Sequence, residues 1–100
     1  MENIYHVTSL SAWENAQQLG YYEADSLKIE GFIHCSTKHQ VQGVLDRYFN
    51  GQHDLIKLTI DPQKLSSKLV FELSPSVNQE FPHVFGVIPL EAIIQTEQIR

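Results

Sequence analysis

Regular alternation of apolar and polar residues predicts several short β-strands in this chain. The clearest alternation spans residues 54–61, where Ile56, Leu58 and Ile60 recur at every second position. Because successive side chains of a strand point to opposite faces, these three residues are expected to form one buried face. Weaker alternation predicts further strands at residues 3–8, 32–36, 68–73 and 93–99.

Two segments carry the start and stop signals of helices. Residues 11–14 (Ser-Ala-Trp-Glu) and 37–40 (Thr-Lys-His-Gln) match the capping box. In that motif a hydroxyl and a later Glu or Gln side chain bond the free amides of the first helical turn. Gly20 and Gly51 then serve as the expected helix stops. A short helical turn is expected around residues 26–29, in addition to these two main helices.

The order of these elements predicts the fold class. Strands interleaved with two main helices over 100 residues, a common domain size, predict a single α+β domain spanning residues 1–100. Pro82 has no amide hydrogen to donate to a neighbouring strand. The segment 81–86 is therefore expected to begin at a sheet edge or at a bulge.

The charge and cysteine content narrow the environment and the partners. The net charge is −5, and the seven Lys and Arg residues are scattered. Binding to duplex nucleic acid needs clustered basic residues, so that partner is disfavoured, whereas a small phosphorylated ligand is not. Cys35 is the single cysteine, so no intrachain disulfide can form. With no signal-like start and no apolar run of roughly 20 residues, we expect a cytoplasmic protein without membrane contact.

Three histidines occur in the same local pattern. His6, His34 and His83 each follow an apolar residue by two positions in a predicted strand. Two positions after His6 and His34 comes a residue with a hydroxyl group, Thr8 and Ser36 respectively. Residues two apart lie side by side on one strand face, so each of these strands offers an imidazole beside a hydroxyl. The repeated pattern predicts that the histidines converge on one polar pocket.

Other interpretations of these histidines stay open. A histidine in a strand is commonly a satisfied core residue, and three from separate strands could hold zinc with an open fourth position. No His-x-x-x-His or histidine–carboxylate pair marks such a site, so no metal site is predicted. His39 and His53 are expected to face solvent. Cys35 is interpreted as a small buried hydrophobe rather than a nucleophile.

Carboxylates and one arginine complete the candidate chemistry. Glu72, on a predicted strand, or Glu80, in a loop, could act as a general base or bind a ribose diol. A solvated surface glutamate is the more common explanation for either residue, and more so for Glu80. Arg47 on the second helix could bind a phosphate through its bidentate guanidinium, or could instead cap the C-terminal dipole of that helix.

Several of these segments together resemble a known family. Residues 30–36 (Glu-Gly-Phe-Ile-His-Cys-Ser) are the most specific match, supported by residues 4–8 (Ile-Tyr-His-Val-Thr) and 81–86 (Phe-Pro-His-Val-Phe-Gly). They resemble a family of small bacterial proteins defined only as a domain of unknown function and grouped with the ADP-ribosyltransferase-like superfamily. That grouping implies a split, mainly antiparallel β-structure flanked by helices.

The resemblance also implies roles for individual residues and suggests NAD as the ligand. His6 is similar to a first-strand histidine that binds the adenosine ribose of NAD, and His34 to a residue that packs beside nicotinamide. Glu72 is the counterpart chosen for a glutamate that orients the reacting ribose. His83 and Phe85 would complete the pocket. Phe85 stands where relatives tend to have tyrosine, so a phenolic hydroxyl is missing.

Three functions follow as hypotheses. The first is an enzyme of the ADP-ribosyltransferase-like class that transfers or removes an ADP-ribosyl or phosphate group. The second is a non-catalytic module that binds a nucleotide or a phosphorylated metabolite. The third is a structural or partner-binding domain whose histidines belong to the core. Turnover distinguishes the first, saturable binding without product the second, and the lack of any stabilising small ligand the third.

Overall fold

The computed structural model describes residues 2–100, which form eight strands, three helices and two short 3₁₀ turns. The strands are β1 (Ile4–Ser9), β2 (Tyr21–Tyr22), β3 (Ile33–His34), β4 (Leu55–Ile60), β5 (Leu69–Ser74), β6 (Gln79–Val84), β7 (Ile88–Pro89) and β8 (Ile93–Gln98). The helices are α1 (Leu10–Leu19), α2 (Asp25–Glu30) and α3 (Val41–Tyr48), and the 3₁₀ turns are Pro62–Lys64 and Leu90–Ala92.

All strand pairs are antiparallel and form two three-stranded sheets and one small pair. The sheets have the orders β1-β4-β8 and β3-β6-β5, and β2 pairs with β7. The predicted α+β class, with mainly antiparallel strands and two main helices, is therefore confirmed. None of the helices in residues 2–100 is long and apolar enough to cross a membrane.

The first sheet has apolar clusters on both of its faces. Ile56, Leu58 and Ile60 of β4 are at most 5% exposed and lie in the main core, so the predicted buried face is confirmed. On the opposite face, Val7 and Leu55 pack in a second cluster with residues of α3. The sheet is thus held between the main core and a helix.

The second sheet contains a strand position that the sequence places wrongly. Pro82 is fully buried in β6, the central strand, and not at an edge or a bulge. The backbone carbonyl of Pro82 accepts a 3.0 Å hydrogen bond from the amide of Cys35, so its nitrogen also faces the β3 side. Regular pairing with β3 ends at His34. The amide hydrogen that Pro82 lacks would have pointed towards the end of β3. Its absence therefore removes no hydrogen bond between β6 and β5.

The helix starts differ from the predicted capping boxes by two residues for α1 and three for α3. Helix α1 is capped by Ser9 and not Ser11, because the Ser9 hydroxyl accepts a 3.1 Å hydrogen bond from the Ala12 amide. Gly20, with φ of 91°, ends that helix as predicted. The second box is half formed, since the Thr37 amide donates to the Gln40 side chain at 2.9 Å while α3 begins one residue later.

The cap of α1 provides a direct test of this local structure. We expect Ser9→Ala to lower the free energy of unfolding by about 1 kcal/mol, because a helical amide loses its acceptor. The matched change Ser11→Ala removes a neighbouring hydroxyl that caps nothing and is expected to cost less than about 0.5 kcal/mol. Urea unfolding of both variants measures the difference, and a larger loss in Ser11→Ala would contradict the assignment.

Candidate functional site

The two sheets meet at one backbone bridge and then separate. The Tyr5 amide donates to the Ser36 carbonyl at 2.8 Å, and the Ser36 amide donates to the Tyr5 carbonyl at 2.7 Å. Beyond this bridge, a cavity of about 810 Å³ opens along β1 and is bordered by residues of β6, α2 and α3. Its size falls within the roughly 300–1,000 Å³ that is typical of small-molecule sites. We call this cavity the cleft.

The backbone of β1 contributes polar groups to the cleft wall. Strand β1 is an edge strand of its sheet, and the side that carries Tyr5 bonds Ser36. Residues two apart in a strand direct their amide and carbonyl groups to the same side, so those of Val7 also point away from β4. Val7 lines the cleft. The wall therefore offers one backbone donor beside one backbone acceptor.

His6 is fixed at the inner end of the cleft by two hydrogen bonds. Its side chain is buried, with Nδ1 2.6 Å from the backbone carbonyl oxygen of His34 and Nε2 2.7 Å from the Tyr22 hydroxyl. A carbonyl can only accept, so Nδ1 carries the hydrogen of the neutral ring and Nε2 carries none. The Tyr22 and Thr8 hydroxyl oxygens are 2.9 Å apart, which extends the chain of polar groups.

Burial determines the charge state of this network. Removal from water lowers the pKa of His6 to about 4, although the bond to the His34 carbonyl opposes the shift. Burial also raises the pKa of Tyr22 to about 12. Both groups are therefore neutral at pH 7. His6 can take part in hydrogen bonding there but supplies no positive charge.

His34 and His83 form a pair on the facing sheet. They are cross-strand partners on β3 and β6, with ring centroids 5.1 Å apart. Nε2 of His34 lies 2.8 Å from Oε2 of Glu30, and Nδ1 of His83 lies 2.8 Å from Oε1 of Glu72. A carboxylate on one ring nitrogen fixes the orientation of an imidazole and selects its tautomer. Nδ1 of His34 and Nε2 of His83 are the nitrogens left for other partners.

Aromatic packing holds His83 from the other side. The ring of Phe32 stacks on His83 with centroids 4.1 Å apart and an angle of 14° between the planes. Phe85 lies 5.4 Å from Phe32 and is 39% exposed. Imidazole, carboxylate and aromatic groups thus share the face of the second sheet that is opposite to the core residues Ile33 and Val84.

The structure brings most of the predicted site residues together. Those that line the cleft directly are His6, Thr8, His34, Ser36 and His83. Glu72 and Phe85 do not line the cleft. Instead, Glu72 bonds His83, and Phe85 packs on Phe32.

Arg47 is separated from this group. It lies exposed on α3 outside the cleft lining, with its guanidinium 5.7 Å from the ring centroid of Tyr48. Glu80 is also exposed and outside the lining. His39 and His53 face solvent as predicted. Cys35 is buried, as predicted, and burial raises the pKa of its thiol.

Two residues of the site were not predicted to belong to it. Tyr22 reaches His6 from a two-residue strand, and Glu30 reaches His34 from the last position of α2. Glu30 and His34 are separated by the i,i+4 spacing of a helix, but they do not lie on one helix face, because α2 ends at Glu30. Within residues 2–100, no group of three or more His, Cys, Asp or Glu side chains is arranged to hold a metal ion.

Comparison with known proteins identifies a family and solved relatives of the same fold. The model of the family described as "Protein of unknown function (DUF952)" matches residues 7–96. A crystal structure of protein CC0527 from Caulobacter crescentus has a TM-score of 0.88 at 26% identity, covering 98% of this chain and 86% of that one. The solution NMR structure of CC0527 has a TM-score of 0.79 at 26% identity, covering 99% and 85%. No curated protein matches the chain.

The buried state of His6 predicts a specific pH dependence of stability. The folded pKa of about 4 lies below the usual value of 6.5, so the unfolded chain binds the proton more readily. Stability is therefore lost as the pH falls through 6.5 towards 4. At pH 5 the His6 contribution to the loss is about 2 kcal/mol.

Comparison with variants isolates this contribution from those of other acid-titrating groups. His6→Asn retains an amide donor for the His34 carbonyl but does not titrate. We expect it to lose about 2 kcal/mol less free energy of unfolding between pH 7.5 and pH 5 than the parent protein. His53→Asn, at an exposed histidine, should follow the parent. An equal loss in the parent and in His6→Asn would show that His6 is not held neutral.

Proposed function

The chain belongs to the DUF952 family, and we propose that its cleft binds NAD or a related nucleotide and acts on it as ADP-ribosyltransferase-like enzymes do. The reaction class is transfer or removal of an ADP-ribosyl group. The main support for this proposal is that different kinds of polar group line the two sides of one cleft. A neutral, buried His6 lies on one side, and the carboxylate-bound imidazoles of His34 and His83 lie on the other.

The groups on the cleft wall suit a riboside. Ribose hydroxyls both donate and accept hydrogen bonds, and the hydroxyls of Thr8 and Ser36 can do the same. The backbone amide and carbonyl of Val7 match a carboxamide, which also combines a donor with an acceptor. Phe81 and Tyr48 supply apolar wall area for a heterocycle. These features support binding of the nicotinamide riboside part of NAD.

The paired histidines suit cleavage of an N-glycosidic bond. When the bond from C1′ to the ring nitrogen breaks, nicotinamide leaves with the bonding electrons and the ribose gains positive charge. Carboxylates near the cleft stabilise that charge electrostatically. Nε2 of His83 can accept a proton from an incoming hydroxyl or water as the new bond to C1′ forms. Glu72 bonds the other nitrogen of His83, so it acts as a positioning residue and not through direct contact with ribose.

A second function, binding without turnover, is favoured by one feature of the site. Glu72 was predicted to orient the reacting ribose, but it does not line the cleft, and its carboxylate is engaged by His83. A module of this kind would bind a nucleotide or a phosphorylated metabolite and release it unchanged. The two functions differ in product formation and not in the residues that hold the ligand.

Binding is tested by ligand-observed NMR with NAD, ADP-ribose and nicotinamide. We expect at least one of the three to bind and His34→Ala to weaken that binding about tenfold or more, because the variant removes an imidazole from the cleft wall. His53→Ala, at an exposed histidine outside the cleft, is the matched control. Failure of all three ligands to bind the parent protein would contradict the proposal.

Turnover of NAD is tested with paired glutamate variants. Glu72→Gln is expected to lower the rate by about 10²-fold with little change in Kd, because the orienting carboxylate of the base is lost. Glu80→Gln removes an exposed carboxylate outside the cleft and should leave the rate unchanged. Saturable binding with no product in the parent protein would favour the non-catalytic module instead.

A further inference from the structure

The charged residues of the cleft wall are all acidic. Glu23, Asp25 and Glu30 line the cleft, and in residues 2–100 no lysine or arginine does so. Lys28 lies 3.7 Å from Glu23, but its side chain is 78% exposed and borders a different, smaller depression. The charged side chains that line the cleft are therefore carboxylates, and the cation that pairs with Glu23, Lys28, lies outside the lining.

The histidines do not offset the negative charge of the carboxylates in the cleft wall. His6 is neutral because burial lowers its pKa to about 4. His34 and His83 are each bonded to a carboxylate, so protonation of either ring would balance its own partner, Glu30 or Glu72. Of the two further carboxylates of the wall, Glu23 is paired with Lys28 at 3.7 Å, and Asp25 has no ion-pair partner among residues 2–100.

Phosphate recognition in proteins normally uses features that this cleft lacks. Lys and Arg side chains bind phosphate as point charges or through bidentate hydrogen bonds. Arg47, the predicted phosphate ligand, is outside the cleft lining and lies over the ring of Tyr48. A phosphate placed among Glu23, Asp25 and Glu30 would be repelled by each of them.

A cationic heterocycle fits the same wall. The carboxylates attract a positive ring, and the aromatic side chains of Tyr48 and Phe81 also line the cleft and can pack on it. The wall hydroxyls remain available for the sugar. Size, polarity and sign of charge thus agree on one class of ligand.

We infer that the acidic wall of this cleft holds the riboside part of the ligand, with a neutral or cationic base, and that a pyridinium riboside is the best match. This inference rests on the proposed function and narrows it. The phosphates of a nucleotide such as NAD lie outside this part of the cleft, because the carboxylates of its wall repel them.

The test compares two probes that differ by one phosphate. Nicotinamide riboside and nicotinamide mononucleotide are titrated into the parent protein by calorimetry at low ionic strength, where charge effects are largest. We expect the riboside to bind several-fold more tightly than the mononucleotide. We also expect added salt to weaken binding of the riboside and to reduce the difference in affinity between the two probes.

Charge-neutralising variants show which carboxylates are responsible. The double variant Glu23→Gln, Asp25→Asn is expected to reduce the preference for the riboside several-fold. Asp46→Asn, Glu91→Gln removes the same charge from two exposed positions outside the cleft and should leave the preference unchanged. The comparison of probes on the parent protein stands even if the first double variant fails to fold.

The outcomes separate this inference from the proposed function. A mononucleotide that binds as tightly as the riboside, or more tightly, overturns the inference but leaves the proposed function intact. Loss of such tight binding in Arg47→Gln would place the phosphate at Arg47. If neither probe binds and NAD, ADP-ribose and nicotinamide also fail, the proposed function and the inference are both wrong.

Discussion

The site depends on the backbone bridge between Tyr5 and Ser36. Two hydrogen bonds, of 2.8 and 2.7 Å, hold the edge of the first sheet against the chain that leaves β3. A third hydrogen bond between the sheets lies next to the bridge, because the ring of His6 bonds the carbonyl of His34 at 2.6 Å. The strands separate beyond this junction, and the space between them is the cleft. The relative positions of the three histidines are therefore fixed by contacts that use backbone groups as much as side chains.

The same junction sets the charge of the cleft. A histidine at its entrance would titrate near neutral pH, whereas His6 is buried between Tyr22 and a carbonyl and stays neutral. Satisfied polar networks of this kind hold a buried group in one arrangement, because any other leaves a donor or acceptor unpaired. His6 thereby supplies no positive charge to the cleft, while the carboxylates of the wall remain.

Local sequence patterns predicted the elements well and their long-range contacts less well. The burial of Ile56, Leu58 and Ile60 follows from period-two alternation alone, so it was predictable. Pro82 was misplaced because edge status depends on which strands pair, and that is decided far along the chain. The cleft position of the histidines followed from their repeated pattern, but Tyr22 and Glu30 reach them through contacts that no local periodicity encodes.

The state of His6 is observed directly by ¹⁵N–¹H NMR of the histidine ring nitrogens across the pH range from 7.5 to 5. We expect His6 to keep a protonated Nδ1 and an unprotonated Nε2 throughout, because its pKa is about 4. A His6 ring that is protonated on both nitrogens near pH 6, or that has its hydrogen on Nε2, would contradict the arrangement on which the cleft and its charge depend.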